Sequence, residues 1–161
     1  MKRTEAVIEL RRLLLEESVN KYPTLPDHAR PVNSFDSTKN KERRELKRIA
    51  KYIELKGGIC SITDSSAKRI DKTMNYVDSV GFNRTIGSVE FRKNTDFEVG
   101  HSDLTATING QAHYIELKRV YKSGKDRQSE AQKAFQSKVT KAGAIYLIVN
   151  SFEDFYNIKL I

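Results

Sequence analysis

The chain has 161 residues, and its 29 Lys and Arg against 21 Asp and Glu give a formal charge of +8. This length favours one domain that buries its own core, and seven Tyr with seven Phe argue against a disordered chain. The single cysteine, Cys60, excludes an intrachain disulfide framework and a cysteine-based zinc site. One cysteine also fits a reducing compartment, so we expect a cytoplasmic protein.

Charge and hydropathy also limit the partners. No apolar run approaches the roughly 20 residues of a membrane-spanning helix, and charged residues interrupt the N-terminal apolar stretch, which argues against a secretory signal. We therefore expect no membrane association. The excess of positive charge favours a polyanionic partner, of which nucleic acid is the commonest for such a protein.

The first 39 residues are predicted to form a helix and a linker. Apolar residues recur at helical spacing among charges over residues 3–20, which predicts an amphipathic helix. All three prolines fall within residues 21–39, which predicts an extended linker or surface segment. Residues 40–161 would then form the main domain.

The main domain is predicted to begin with a helix over residues 41–56. Its apolar residues fall at i, i+3, i+4 and i+7, and two glycines end it. Residues 59–85 give weaker signals, and Asp64-Ser65-Ser66 is predicted to cap a short helix carrying Lys68, Arg69 and Lys72. Beyond Gly87, alternation at Val89 and Phe91 predicts a strand.

The C-terminal half completes the predicted order of helix, three strands, helix and strand, an α/β or α+β domain. Two strands flank residues 109–110, and a polar helix follows over residues 126–142. The apolar run 144–149 is typical of a strand covered on both faces. A last short strand is predicted over residues 155–160.

The most informative stretch is a hairpin centred on Asn109-Gly110. Both residues tolerate the positive φ of a type I′ turn, and a two-residue loop sets Ile108 opposite Gln111. The same register sets Asp103 directly opposite Glu116, with their Cβ atoms about 4.5–5.5 Å apart. Lys118 then projects from the same face as Glu116. Hydrophobic residues project from the other face into the core: Leu104, Ile108, Ile115 and Leu117.

Two facing carboxylates repel, so a raised pKa or a bound cation should compensate. Oxygen ligands of this kind suit Mg²⁺ or Mn²⁺, which could polarise a phosphoryl oxygen and lower the pKa of a bound water. Lys118 could orient that water or stabilise charge on a phosphate. The alternative interpretation is a surface carboxylate and amine on an edge strand.

Asp103 followed by Glu116-Leu117-Lys118 resembles the PD-(D/E)xK nuclease superfamily. Gly100-x-x-Asp103, Ile115-Glu116-Leu117-Lys118, Gly124 and Ser129-Glu130-Ala131-Gln132 are similar to the VRR-NUC branch, and this resemblance spans about residues 40–150. It implies a restriction-endonuclease-like core of helix, three strands, helix and strand, with a mixed sheet flanked by helices and an extra N-terminal helix. It also implies a metal-dependent nuclease that uses Mg²⁺ or Mn²⁺.

The resemblance assigns roles to individual residues. Asp103 and Glu116 would ligate the metal, with the backbone carbonyl of Leu117 as a further ligand. Lys118 would serve the attacking water, and Gln132 matches a helix glutamine that lies near the site in the family.

The family also places a glutamate on its first core helix. Glu42 lies about 30° from the centre of the apolar stripe and Glu45 about 90° away, so Glu42 is the preferred candidate ligand and Glu45 the reserve. Two features depart from the family: Ser102 stands where a proline often precedes the aspartate, and residues 57–86 read as an insertion between the first helix and the first strand.

The sequence therefore predicts a Mg²⁺- or Mn²⁺-dependent endodeoxyribonuclease, with flap or branched DNA among its candidate substrates. Two basic runs, 39–56 and 118–141, flank the predicted site and would contact phosphates. The alternative is a basic DNA-binding accessory module that keeps the fold without catalysis. A junction-cutting enzyme would need a homodimer, and the leucines of the N-terminal helix could pack on the domain or on a second subunit.

Overall fold

The computed structural model describes residues 4–35, 37–63, 68–92, 97–118, 120–121, 124–125 and 127–161. The chain divides into two compact units. Unit 1 contains Met1–Thr63 and Val99–Ile161, and unit 2 is Asp64–Glu98. Among the described residues, no helix combines the length and the apolar character that a bilayer crossing requires.

Two long helices open unit 1, close to their predicted limits. Helix α1 is Glu5–Lys21, and helix α2 is Lys41–Leu55. The Asn40 side chain caps α2 by accepting from two backbone N–H groups. The proline-containing segment between the helices has one 3₁₀ turn, Asp27–Ala29. Residues 1–39 belong to unit 1, where Leu10, Leu13 and Leu14 of α1 are buried in the main core.

The strands of the first half differ from the prediction. Strand β1, Ile59–Ile62, follows α2 directly and was not predicted. Unit 2 holds β2 (Lys68–Asp71), β3 (Met74–Val77), β4 (Asn83–Ile86) and β5 (Val89–Arg92). The predicted short helix carrying Lys68 is therefore wrong, because those residues pair as a strand with β5. Its predicted cap, residues 64–66, lies outside the described residues.

The second half supplies the rest of unit 1. Its strands are β6 (Leu104–Ile108), β7 (Gln111–Leu117), β8 (Val120–Tyr121), β9 (Gly124–Lys125) and β10 (Ile145–Val149). Its helices are α3 (Glu130–Lys141) and α4 (Phe152–Asn157). The predicted last strand over 155–160 is wrong, because Ser151 caps α4 and its Phe152 and Phe155 side chains enter the core one helical turn apart.

A four-stranded mixed sheet of order β1-β6-β7-β10 organises unit 1. Its β1, β6 and β7 are antiparallel neighbours, and β10 runs parallel to β7 after α3. The main elements therefore follow the predicted order of helix, three strands, helix and strand, but β1 takes the place expected for Val89–Arg92. The insertion accordingly falls between the first and second strands of the sheet, as unit 2.

The hairpin register is confirmed. Asn109 and Gly110 have φ values of 51° and 76°, as a type I′ turn requires. The pairing runs from Ile108↔Gln111 to Leu104↔Ile115. A two-residue signal thus fixed which side chains share each face of these central strands.

Helices flank the sheet on both faces, so the architecture is mixed α and β. Residues of α1, α2 and α4 pack with Leu104, Ile108 and Ile115 in the main core. Helix α3 lies over the opposite face, where the Phe135 ring meets Tyr114 at 5.4 Å between centroids. The expectation that β10 is covered on both faces is wrong, because its Ile145 and Ile148 side chains are 38% and 46% exposed.

Candidate active site

The candidate site begins where the β6–β7 ladder ends. Asp103 immediately precedes β6, and its Oδ2 accepts a hydrogen bond from the Leu117 backbone N–H at 2.9 Å. The Asp103 backbone carbonyl accepts from the Thr63 N–H at 2.8 Å, which ties the residue to the end of β1. Asp103 is therefore bonded on one side to the end of β1 and on the other to β7, one residue beyond the pair Leu104↔Ile115.

Glu116 is the most deeply buried carboxylate of the site, with 1% of its surface exposed. Its Oε1 accepts from the Gln132 amide and lies 3.1 Å from Lys118 Nζ, and its Oε2 accepts from the Tyr146 hydroxyl at 3.3 Å. Burial and, to a smaller extent, the Asp103 charge raise the pKa of Glu116 from 4.5 to about 7, against the opposing effect of Lys118.

Lys118 and Gln132 connect this carboxylate to the start of α3. Lys118 is also buried, and its Nζ donates to Gln132 Oε1 at 3.0 Å. The same Gln132 oxygen accepts from the Ser129 backbone N–H at 2.9 Å, while Ser129 Oγ accepts from the Gln132 N–H. This reciprocal pair is a capping box, so the residue that caps α3 also orients the Glu116–Lys118 pair.

A close backbone approach sets the position of α3 over the site. Gly100 has a φ of +86°, and a Cβ built on it would lie 2.4 Å from the Ala131 carbonyl carbon and 2.7 Å from the Gln132 nitrogen. Only glycine adopts this left-handed backbone without strain and has no Cβ to collide with Ala131. Gly100 therefore lets the loop that carries Asp103 pack against the first turn of α3, next to Gln132.

Aromatic rings fill the remainder of this face. His101 lies against Phe135, with ring centroids 4.7 Å apart, and against Tyr114. Its Nδ1 lies 3.0 Å from the Ser102 carbonyl. Tyr114, which shares the face of Glu116, packs under α3 in the same cluster. These contacts place both residues in the packing of the site wall.

Tyr146 is the site residue that the sequence analysis missed. The parallel register sets Tyr146 beside Tyr114, and therefore on the same face as Glu116. Burial and the nearby Glu116 charge raise the pKa of Tyr146 well above its usual range, so its hydroxyl stays a hydrogen-bond donor. The apolar run identified the strand, but only its pairing with β7 shows which residue faces Glu116.

The burial of the two glutamates on α2 is the reverse of what their angles to the apolar stripe suggested. Glu45 is buried, with Oε1 accepting from Arg48 at 3.0 Å and Oε2 accepting from the Phe152 backbone N–H at 3.0 Å. It therefore holds the start of α4. Glu42 lies in the first turn of α2 and is only partly buried. Its assignment as a metal ligand stays a prediction.

Two carboxylates, those of Asp103 and Glu116, are the candidate metal ligands in the described part of the site. No group of three His, Cys, Asp or Glu side chains suited to a metal occurs in the described part of the chain. Mg²⁺ is commonly held by one or two carboxylates with waters and substrate phosphates completing its shell. The donor chemistry of Asp103 and Glu116 fits that pattern, and the backbone carbonyl of Leu117 stays a predicted third ligand.

The first basic run is partly neutralised within unit 1. Lys51 Nζ lies 2.6 Å from a Glu17 oxygen, and Lys56 Nζ lies 3.5 Å from a Glu9 oxygen. Both carboxylates belong to α1, which thus binds the C-terminal half of α2 by charge as well as by apolar packing. Of the second run, Lys118 is buried in the site, while Arg119 and Lys122 lie outside the described residues.

Comparison of the chain with known proteins identifies no relative. No protein-family profile matches the chain, and neither the curated proteins nor the solved structures searched contain a match. The function is therefore argued from the geometry of this site.

Proposed function

We propose that the chain is a Mg²⁺- or Mn²⁺-dependent nuclease that hydrolyses DNA phosphodiester bonds, with a restriction-endonuclease-like core of the VRR-NUC type. The order α2, β1, β6, β7, α3, β10 supports this core. So does the position of Asp103, Glu116 and Lys118 at one end of adjacent central strands.

The observation that carries the proposal is a buried ionisable cluster on one face of the sheet. Glu116 and Lys118 are both at least nine-tenths buried, and an apolar pair at these positions would cost the fold less. Strongly perturbed carboxylates beside a specific charge partner are typical of functional sites. Here the pKa of Glu116 is raised to about 7 by burial and by Asp103.

A divalent cation would offset the repulsion between the two carboxylates of this site. Asp103 and Glu116 would hold it, because their mutual repulsion is the interaction that a cation removes. When bound, such an ion supplies Lewis-acid polarisation of the phosphoryl oxygen and a lowered pKa for a coordinated water.

The chain's own residues then supply orientation. Lys118 Nζ, held 3.0 Å from Gln132 Oε1 and 3.1 Å from Glu116 Oε1, would place its positive charge beside the attacking water or the phosphate. Gln132 fixes one oxygen of Glu116, and Tyr146 fixes the other. The Glu116 side chain is thus held from both sides, which is the preorganisation that in-line attack of a water on phosphorus requires.

Charge distribution supports DNA as the substrate. Six of the 29 Lys and Arg and six of the 21 Asp and Glu fall within unit 2, so unit 2 is formally neutral and unit 1 carries the entire +8. The excess charge therefore belongs to the unit with the candidate site. Phosphate contacts by Lys and Arg supply sequence-independent DNA affinity.

The test is a cleavage assay on single-stranded, duplex, flap and four-way DNA with Mg²⁺, Mn²⁺ or EDTA. We expect metal-dependent cleavage of at least one substrate, abolished by EDTA and by Glu116→Gln, with Glu130→Gln as a matched exposed control. Salt-sensitive DNA binding with no cleavage under any condition would overturn the proposal and favour the accessory-module alternative. Cleavage that Glu116→Gln leaves intact would also overturn it.

A further inference from the structure

Strands β2 to β5 form one two-stranded antiparallel ribbon, Lys68–Arg92, called the ribbon below. The pairs Asp71↔Val89 and Met74↔Ile86 share one register, and between them the Lys72 backbone N–H donates to the Ser88 carbonyl at 2.9 Å. Beyond the ribbon's own pairing, neither outer edge is bonded to another strand of the described chain.

The ribbon has no core of its own. None of the described side chains from Arg69 to Arg92 is buried. Eight large hydrophobic side chains of the ribbon are exposed: Met74, Tyr76, Val77, Val80, Phe82, Ile86, Val89 and Phe91. An isolated two-stranded hairpin is marginally stable in water, and a concentration of exposed apolar side chains marks an interaction surface. The ribbon therefore requires a partner that covers it.

Charge favours a second copy of the chain over nucleic acid. Unit 2 is formally neutral, and two of its arginines lie beside its own carboxylates: Arg84 Nε is 2.9 Å from an Asp78 oxygen and Arg92 Nε is 2.8 Å from a Glu90 oxygen. Two copies of unit 1, each with a charge of +8, repel one another, so neutral unit 2 is where two copies meet at the least electrostatic cost.

Gly87 marks the point of contact on the ribbon. Its φ lies outside the left-handed region, and a Cβ built on it would meet only Thr73 Oγ1 at 3.9 Å, so nothing in the described part of the chain requires glycine there. Because Ser88 bonds inward to Lys72, the backbone groups of Gly87 point to the free edge. A glycine within a strand often marks a site where another backbone approaches closely.

We propose that two copies of the chain associate through this edge, with antiparallel pairing centred on Gly87 and a twofold axis through it. The two ribbons then form one four-stranded sheet, an isologous contact that covers both exposed edges. This register sets Arg84 of each copy opposite Glu90 of the other, and Ile86 opposite Ser88. It also joins the exposed Met74, Tyr76 and Ile86 side chains of both copies into one apolar strip. The proposal does not depend on nuclease activity.

The register is tested by mixing two cysteine variants of the full chain in a Cys60→Ser background. Ile86→Cys in one chain and Ser88→Cys in the other would face each other with Cα atoms about 4.5 Å apart, within disulfide range. In either variant alone the two cysteines are about 8 Å apart, beyond that range. We expect a disulfide-linked dimer from the oxidised mixture and none from either variant alone. No cross-link in the mixture, or equal cross-linking in a single variant, overturns the register.

A charge-reversal cycle, followed by sedimentation, tests the same contact without cysteines. The wild type should be dimeric, and Arg84→Glu or Glu90→Arg should each weaken association about tenfold or more because like charges then meet twice. The double variant should restore the dimer even though its intrachain pairs remain broken, and Arg69→Glu on the other face should leave it unchanged. A monomeric wild type or an unrestored double variant overturns the proposal. Loss of duplex DNA binding in Arg84→Glu with unchanged oligomeric state assigns the ribbon to nucleic acid and overturns it as well.

Discussion

The two faces of the central sheet bury different chemistry. On one face, Leu104 and Ile115 are completely buried against helices α1, α2 and α4. On the other face, Glu116 and Lys118 are almost as deeply buried, but beneath α3 and among hydrogen-bond donors. The first face stabilises the fold by removing apolar surface from water. The second face removes charge from water, which opposes folding.

This difference separates residues that maintain the fold from residues that can perform chemistry. The apolar face requires only side chains of suitable volume. The polar face requires named partners, because Glu116 accepts from Gln132 and Tyr146 while Lys118 is held beside it. Substitutions on the first face should therefore reduce stability, and conservative substitutions on the second should reduce activity without loss of the fold.

The largest expected effect is on cleavage by Lys118→Met. Loss of the amine removes the donor that orients water or phosphate charge, and we expect kcat to fall about 10³-fold, the size seen on removing a strong electrostatic donor. Lys21→Met is the matched control, since Lys21 lies exposed at the end of α1, outside both basic runs. Similar rates for wild type and Lys118→Met in a single-turnover assay would remove Lys118 from the mechanism.

The apolar face is tested by Ile115→Ala. Truncation leaves a cavity in a fully buried site, and we expect the free energy of unfolding to fall by about 2–5 kcal/mol. Urea denaturation measures this change, with Ile59→Ala as the control because Ile59 is 77% exposed. If the two substitutions have equal effects, the core does not lie on the face assigned to it.

The pH dependence of stability tests the burial of Glu116 in metal-free protein. Because its folded-state pKa is raised from 4.5 to about 7, the unfolded state ionises first as pH rises between these values, and stability falls. The difference of 2.5 pKa units corresponds to about 3 kcal/mol lost between pH 4.5 and pH 7.

Glu116→Gln should remove this loss, so the variant should be more stable than the wild type at pH 8 and similar to it at pH 4. Glu130→Gln is the control, since its carboxylate is exposed. Urea titrations in EDTA across this pH range supply the measurement. Parallel stability profiles for wild type and Glu116→Gln would show that Glu116 is ionised normally in the folded state.

The smallest expected effect separates backbone strain from close packing. Gly100 and Gly143 have nearly equal φ values, +86° and +89°, but only Gly100 has atoms within reach of a Cβ. Gly143→Ala should cost about 1 kcal/mol for the left-handed backbone alone. Gly100→Ala should cost more and should also lower cleavage, because it displaces Gln132. Equal unfolding free energies and equal activities would argue against the close approach.

How far the sequence predicts this structure depends on whether a signal is local. Asn109-Gly110 determined the register of the five residue pairs between β6 and β7, and with it the shared face of Glu116 and Lys118. The polar helix predicted over residues 126–142 is present as α3, but it begins at Glu130, where Ser129 caps it. In contrast, β1 has only four residues, of which just Cys60 and Ile62 turn inward, too few for a periodic pattern.

Tertiary contacts determine what the sequence could not show. Glu45 is buried because α4 covers its side of α2, although it lies well away from the centre of the apolar stripe. The strand predicted over residues 155–160 overlaps α4, whose Phe152 and Phe155 side chains enter the core against α1 and α2. Tyr146 reaches Glu116 only through the parallel pairing of β10 with β7. The positions of Glu45 and Tyr146 therefore depend on elements distant in sequence.

Direct titration with Mn²⁺, followed by electron paramagnetic resonance, tests the central claim that Asp103 and Glu116 together hold a divalent cation. Saturable binding should occur in the wild type and in Glu130→Gln, and it should be lost in both Asp103→Asn and Glu116→Gln. Equal Mn²⁺ binding by all four proteins would contradict the claim.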